Sequence, residues 1–130
     1  MSELERAGWV VVAEDSAATR RIVSSILRDC GFAVEEAANG EEAIACLHEL
    51  AHPSLAIIDW NMPVLDGLDT VRALRADPRY ARLPILMMTT ERLQDRIEAA
   101  LSAGVDEYLM KPFTREMVME KLGLLGFRIR

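Results

Sequence analysis

The chain has 130 residues, which is room for one domain and not two, and its 51% hydrophobic content suits a packed core rather than disorder. Fifteen basic residues against 21 acidic leave a net charge of −6, which disfavours nucleic acid and anionic membranes as direct partners. The lack of any apolar run near the roughly 18 residues of a membrane span, of an export-signal start, and of metal-ligand spacing at Cys30 and Cys46 predicts a cytoplasmic protein with reduced thiols.

Five short apolar runs alternate with five helical patterns. The first run, Trp9 to Ala13, leads into a helix from about Ser16 to Cys30, with Ala18, Ile22, Ile26 and Cys30 at i+4 spacing and Val23 and Leu27 beside them. Gly31 ends it. The second run, Phe32 to Ala37, carries Glu35 and Glu36. Asn39 then caps a helix with Glu42 three residues on, a capping-box spacing, and Ala43, Ile44, Leu47 and Leu50 form its apolar side. The third run, Leu55 to Ile58, ends at Asp59. After Asn61-Met62-Pro63 a short helix places Leu68, Val71 and Leu74 on one side, and Asp77-Pro78 breaks it. The fourth run, Ile85 to Met88, ends at Thr89. It precedes a helix with Leu93, Ile97, Ala100 and Leu101, stopped by Gly104. The fifth, Glu107 to Met110, ends at Lys111-Pro112, and a last helix opens near Thr114 with Val118 and Leu122 inward.

A strand–helix unit repeated five times implies an α/β fold: a parallel sheet with helices on both faces, joined by right-handed crossovers. Runs one, three and four are almost wholly apolar, as central strands must be. The acidic residues fall in runs two and five, where edge strands tolerate charge. The order 2-1-3-4-5 satisfies both, and it is the doubly wound, flavodoxin-like order.

In such a sheet ligands bind beyond the carboxyl ends of the strands, where the strand order reverses. Glu14 and Asp15 follow the first strand there, Asp59 closes the third, Thr89 the fourth, and Lys111 follows the fifth. Three carboxylates in one pit repel one another unless a positive charge sits between them. A hard divalent cation such as Mg²⁺ takes such ligands. Asp59 is then a nucleophile toward phosphorus, Lys111 a charge for a phosphoryl oxygen, and Thr89 a hydroxyl donor to it.

Taken in order, Glu14-Asp15, Asp59-Trp60-Asn61-Met62-Pro63 with Asp66-Gly67, Thr89, and Lys111-Pro112-Phe113 resemble the receiver domains of two-component response regulators, and most of all the single-domain chemotaxis type. The likeness covers almost the whole chain, so residues 1–130 are expected to be one receiver domain. The resemblance implies phosphotransfer from a histidine kinase or histidine phosphotransfer protein onto Asp59, and a downstream protein target. It implies Mg²⁺ held by Asp15, Asp59 and the Asn61 backbone carbonyl, with Glu14 acting through water. It also implies a switch pair of Thr89 and Tyr108, tuning of dephosphorylation by Asn61 and Glu91, and a cis bond before Pro112. Such a domain is a phosphoacceptor that assists its own phosphorylation and dephosphorylation, not an enzyme. The pattern departs at Thr90, Arg92, Leu93 and Gln94, which replace a small, lysine-rich stretch on the output face. A phosphorelay intermediate is an alternative of the same class. An aspartate-nucleophile phosphatase would need Asp-x-Asp on the first strand, and a flavin carrier a Ser/Thr/Gly-rich loop in place of Glu14-Asp15.

Overall fold

The computed structural model describes residues 8–90 and 94–128. Among these the elements run β1 Gly8–Ala13, α1 Ala17–Asp29, β2 Phe32–Ala37, α2 Gly40–Glu49, β3 Pro53–Asp59, α3 Gly67–Arg75, a 3₁₀ turn Pro78–Tyr80, β4 Ile85–Thr89, α4 Gln94–Ala103, β5 Glu107–Met110 and α5 Arg115–Leu124. All strand pairs are parallel, and the order is β2-β1-β3-β4-β5, as the distribution of charge over the apolar runs predicts.

Strand alternation divides the core into two layers. Val11, Ala13, Ala56, Ile58, Ile85 and Met87 face α2, α3 and α4, meeting Ala43, Leu47, Val71, Leu74 and Ala100. Their neighbours Val10, Val12, Leu55, Ile57, Leu86 and Met88 face α1 and α5, meeting Val23, Leu27, Val118 and Leu122. A central strand buried on both sides needs an unbroken apolar run, and each large side chain hidden this way contributes about 1.5–3 kcal/mol. On the edge strands Glu36 pairs with Arg20 and Arg28 and Glu107 with Lys121 at 2.7 Å, while Glu35 is exposed.

Four helices begin at side-chain caps. Ser16, Asn39, Asp66 and Thr114 accept hydrogen bonds from the backbone N–H groups of Thr19, Glu42, Asp69 and Met117. Glu42 reaches back to the N–H of Ala38 at 3.2 Å, one residue before the capping-box position.

The face of α1 differs from the expected i+4 row. Val23, Ile26, Leu27 and Cys30 are buried, but Ala18 is exposed and Ile22 is 57% exposed. At 3.6 residues per turn an i+4 row drifts about 40° per step, so the row leaves the interface before it reaches the start of the helix. On α4, Ala100 is buried and Leu101 half exposed, while Leu93 lies outside the described residues. Cys30 is buried and Cys46 half-buried; both thiols are free, and burial raises the pKa of each. No helix among the described residues is long and apolar enough to cross a membrane.

Candidate functional site

The candidate site is built by four strand ends. Beyond β1, the N–H of Glu14 bonds the Ala37 carbonyl at 3.0 Å, which extends the β2 ladder into the turn. The Trp60 N–H does the same to Met88 O at 2.9 Å beyond Asp59, and the Lys111 N–H to Thr89 O at 2.8 Å. The sheet ladder therefore holds the backbone that carries Glu14, Asp15, Asp59, Thr89 and Lys111.

Glu14, Asp15 and Asp59 each offer a carboxylate oxygen, and these atoms lie within 4.8 Å of one another. Glu14 and Asp59 are buried, at 1% and 3% exposure, whereas Asp15 is exposed at the open side. Lys111 Nζ stands 2.8 Å from Glu14 Oε2 and 3.1 Å from Asp59 Oδ1, bridging the two buried acids. Glu14 Oε1 also accepts from the Ser16 N–H at 3.2 Å. Burial pushes the Asp59 carboxyl up to about 6; the neighbouring Glu14 charge adds to this, and Lys111 opposes it. Burial works to lower the Lys111 pKa, but its hydrogen bonds and charge pairing with Glu14 and Asp59 prevail and raise it. Among the described residues, one ammonium against three carboxylates leaves the pit short of positive charge. The donors are hard oxygens of the kind Mg²⁺ selects, so the residues fit such an ion.

Thr89 is fully buried at the end of β4. Tyr108 is half-buried on β5, in register with Met87, and packs against the α2–α3–α4 layer. Asn61 is exposed two residues beyond Asp59, the Lys111–Pro112 bond is cis, and Glu91 lies outside the described residues.

Two features escape the sequence pattern, and a third, Gly67, stands in it without a stated role. Gly67 donates its N–H to Trp60 O at 2.8 Å, and a Cβ there would collide with the Asp59 carbonyl and lie 2.7 Å from Trp60 Cα. Only glycine lets the loop fold back onto the end of β3. In the same loop Val64 is 70% exposed with φ 71°, a left-handed conformation that costs a β-branched residue on the order of 1–3 kcal/mol. Arg20 reaches from α1 to the Glu14 carbonyl at 2.7 Å. Nothing in the helical pattern separates it from its neighbour Arg21.

A family model of the response regulator receiver domain matches residues 10–123. The chain belongs to that family. It is 41% identical over 121 residues to the chemotaxis protein CheY of Pseudomonas aeruginosa, an alignment that spans 92% of this chain and 97% of that one. Its structure resembles the chemotaxis response regulator CheY4 of Vibrio cholerae with a TM-score of 0.85 at 36% identity, covering 91% of this chain and 98% of that one. It also resembles the receiver domain of a Pseudomonas aeruginosa sensor histidine kinase, solved with a magnesium ion coordinated in its active site cleft, with a TM-score of 0.79 at 30% identity over 91% and 97% of the two chains. This is a CheY-like receiver of the two-component signalling class, and its acidic cluster is compatible with Mg²⁺.

Proposed function

We propose that this receiver accepts a phosphoryl group on Asp59, with Mg²⁺, from a histidine kinase or histidine phosphotransfer protein, and that the modification changes its affinity for a downstream protein. The observation that carries this is the buried Asp59 carboxylate, which shares a cluster with Glu14 and Asp15 and is contacted by Lys111 at 3.1 Å. Asp15, Asp59 and the Asn61 backbone carbonyl would hold the ion, with Glu14 acting through an intervening water. Bound Mg²⁺ supplies neutralisation of the charge spread over the transferring phosphoryl oxygens.

The chain's own groups do the rest. An Asp59 oxygen attacks phosphorus; the P–O bond forms as the P–N bond to the donor imidazole breaks, and the bonding pair returns to that nitrogen. Lys111, already against Asp59, pairs with one phosphoryl oxygen and the Thr89 hydroxyl donates to another. The new group carries close to two negative charges in place of the single carboxylate charge of Asp59, a net gain of about one beside β4, and brings three strong acceptor oxygens. Thr89 moves toward it, Tyr108 turns into the space released, and the surface of α4, β5 and α5 changes. Asn61 and Glu91 tune the lifetime of the acyl phosphate. We take the domain, residues 1–130, as a phosphoacceptor and not a phosphatase: Asn61 follows Asp59 where an Asp-x-Asp enzyme has its second acid. The chemotaxis proteins among its relatives favour a chemotaxis-type output protein as target.

Incubation with acetyl phosphate and Mg²⁺ should add one phosphoryl group per chain, read by intact mass, and EDTA should prevent it. Equal labelling in EDTA would remove the metal from the account. Thr89→Ala should still be labelled but lose most of the phosphorylation-dependent chemical-shift change over residues 94–120. A wild-type response in that variant would send the signal out by another face.

A further inference from the structure

The spacing of three mutually repelling carboxylates depends on what holds the β1–α1 turn closed, and the two carboxylates on that turn, Glu14 and Asp15, are joined by a single peptide unit. Its neighbour on one side, the Glu14 N–H, is bonded to Ala37 O of β2 at 3.0 Å. Its carbonyl, Glu14 O, accepts from Arg20 Nη1 at 2.7 Å. The same guanidinium donates through Nε to Glu36 Oε1 of β2 at 3.1 Å, and Arg28 Nη2 lies 3.5 Å from the other Glu36 oxygen. The side chains of Arg20 and Glu36 are 20% and 28% exposed, so the contact is partly shielded from water. Both backbone groups of Glu14 are thereby tied to the same edge strand, one directly and one through Arg20.

We infer that Arg20 is a positioning residue for the cation: it clamps the Glu14–Asp15 peptide so that both carboxylates face Asp59 at ligand spacing. The inference rests on the Mg²⁺-dependent function proposed above. The chemistry suits arginine, whose rigid fork reaches a carbonyl and a carboxylate at once from fixed directions, whereas a lysine presents one flexible point charge. Arg20 is therefore committed to the site's framework and is not a free surface charge on α1.

Two opposite effects of removing Arg20 make the idea testable. If the guanidinium acted only as a nearby positive charge, deleting it would tighten Mg²⁺ binding, because like charges repel. If it positions ligands, deleting it weakens binding, as loss of groups that support metal ligands does by roughly 10–100-fold. Mg²⁺ alone would be titrated into the full chain, followed by Trp60 fluorescence, with urea unfolding of each metal-free variant run in parallel. The expected result is a dissociation constant raised about tenfold in Arg20→Ala, severalfold in Arg20→Lys despite the retained charge, and less in Glu36→Ala, where the far anchor alone is lost. Unchanged or tighter binding in Arg20→Ala, or full retention in Arg20→Lys, overturns the inference, whatever the urea midpoint does. Should Arg20→Ala fail to fold, the Lys and Glu36 variants decide. If wild type itself shows no Mg²⁺ response, the function proposed above falls, and this inference with it. A wild-type response with unaltered variants defeats only the role of Arg20.

Discussion

The two ends of the sheet treat buried charge in opposite ways. At the amino ends of β4 and β5, the Arg75 guanidinium, 17% exposed, donates Nε and Nη2 to Gly104 O at 3.0 and 2.7 Å and Nη1 to Tyr80 O at 2.7 Å. Its Nη2 also reaches Asp106 Oδ2 at 2.9 Å, and that oxygen accepts the Ile85 N–H at 2.8 Å. Gly104, at φ +113°, lies against the Arg75 side chain where a Cβ would come within 2.7 Å of its Cγ. Every group in this bracket has partners. At the carboxyl ends, among the described residues, three carboxylates cluster around one ammonium that contacts two of them, and burial and Glu14 raise the Asp59 pKa to about 6. The first arrangement ties α3 to the starts of two strands. The second stores unmet demand for positive charge, which is what the Mg²⁺ binding and phosphoryl acceptance proposed above require. Sites that conflict with local stability in this way are where function concentrates.

That contrast is open to breakage from either side. The largest effect should come from Arg75→Ala, which strands the Gly104 and Tyr80 carbonyls and should cost about 3 kcal/mol of stability in urea unfolding. Mg²⁺ affinity should stay within about twofold, since the bracket touches none of the ligands. A loss below about 1 kcal/mol, or a parallel fall in Mg²⁺ affinity, would erase the distinction between the two ends.

Asp59→Asn should act in the other direction. The folded pKa of Asp59 is raised from the ordinary 3.8 to about 6, so between these values the folded state keeps a proton that the unfolded chain has released. Metal-free wild type should therefore lose stability from this group as pH rises through that window, and the loss should be complete above it. In EDTA near pH 7.5 the Asn variant should be more stable than wild type by about 1–3 kcal/mol, and its pH profile between 4 and 6 flatter. An Asn variant less stable than wild type at pH 7.5 would mean that the pit is not short of positive charge.

The strand order was readable in the sequence because burial on both faces leaves a plain mark: Val10 to Ala13, Leu55 to Ile58 and Ile85 to Met88 are apolar runs, while Glu36 and Glu107 fall on edges. The members of the acidic cluster were readable because each ends or follows a strand, and topology alone brings strand ends together. How the supports act was not, even for Gly67, which the motif contains. Gly67 matters through its approach to the Asp59 carbonyl, Arg20 through a bond to a backbone atom, and Arg75 through two carbonyls and one carboxylate. Backbone acceptors have no sequence identity, so no residue pattern points to them. The stripe on α1 was misplaced for a related reason: i+4 spacing describes a row on a helix, but which stretch of the row meets the sheet depends on how the helix lies across it, and Ile22 falls beyond the contact.

The central claim is that phosphorus arrives at Asp59 and nowhere else. The direct measurement is to treat the chain with acetyl phosphate and Mg²⁺, reduce the acyl phosphate with borohydride, and map the product by peptide mass. Reduction converts a phosphorylated aspartate to homoserine, so the label becomes permanent at its site. The prediction is homoserine at position 59 in wild type, and no homoserine anywhere in Asp59→Asn or in EDTA. Homoserine at Asp15 or another aspartate of the wild-type chain, or undiminished labelling of Asp59→Asn, would contradict it.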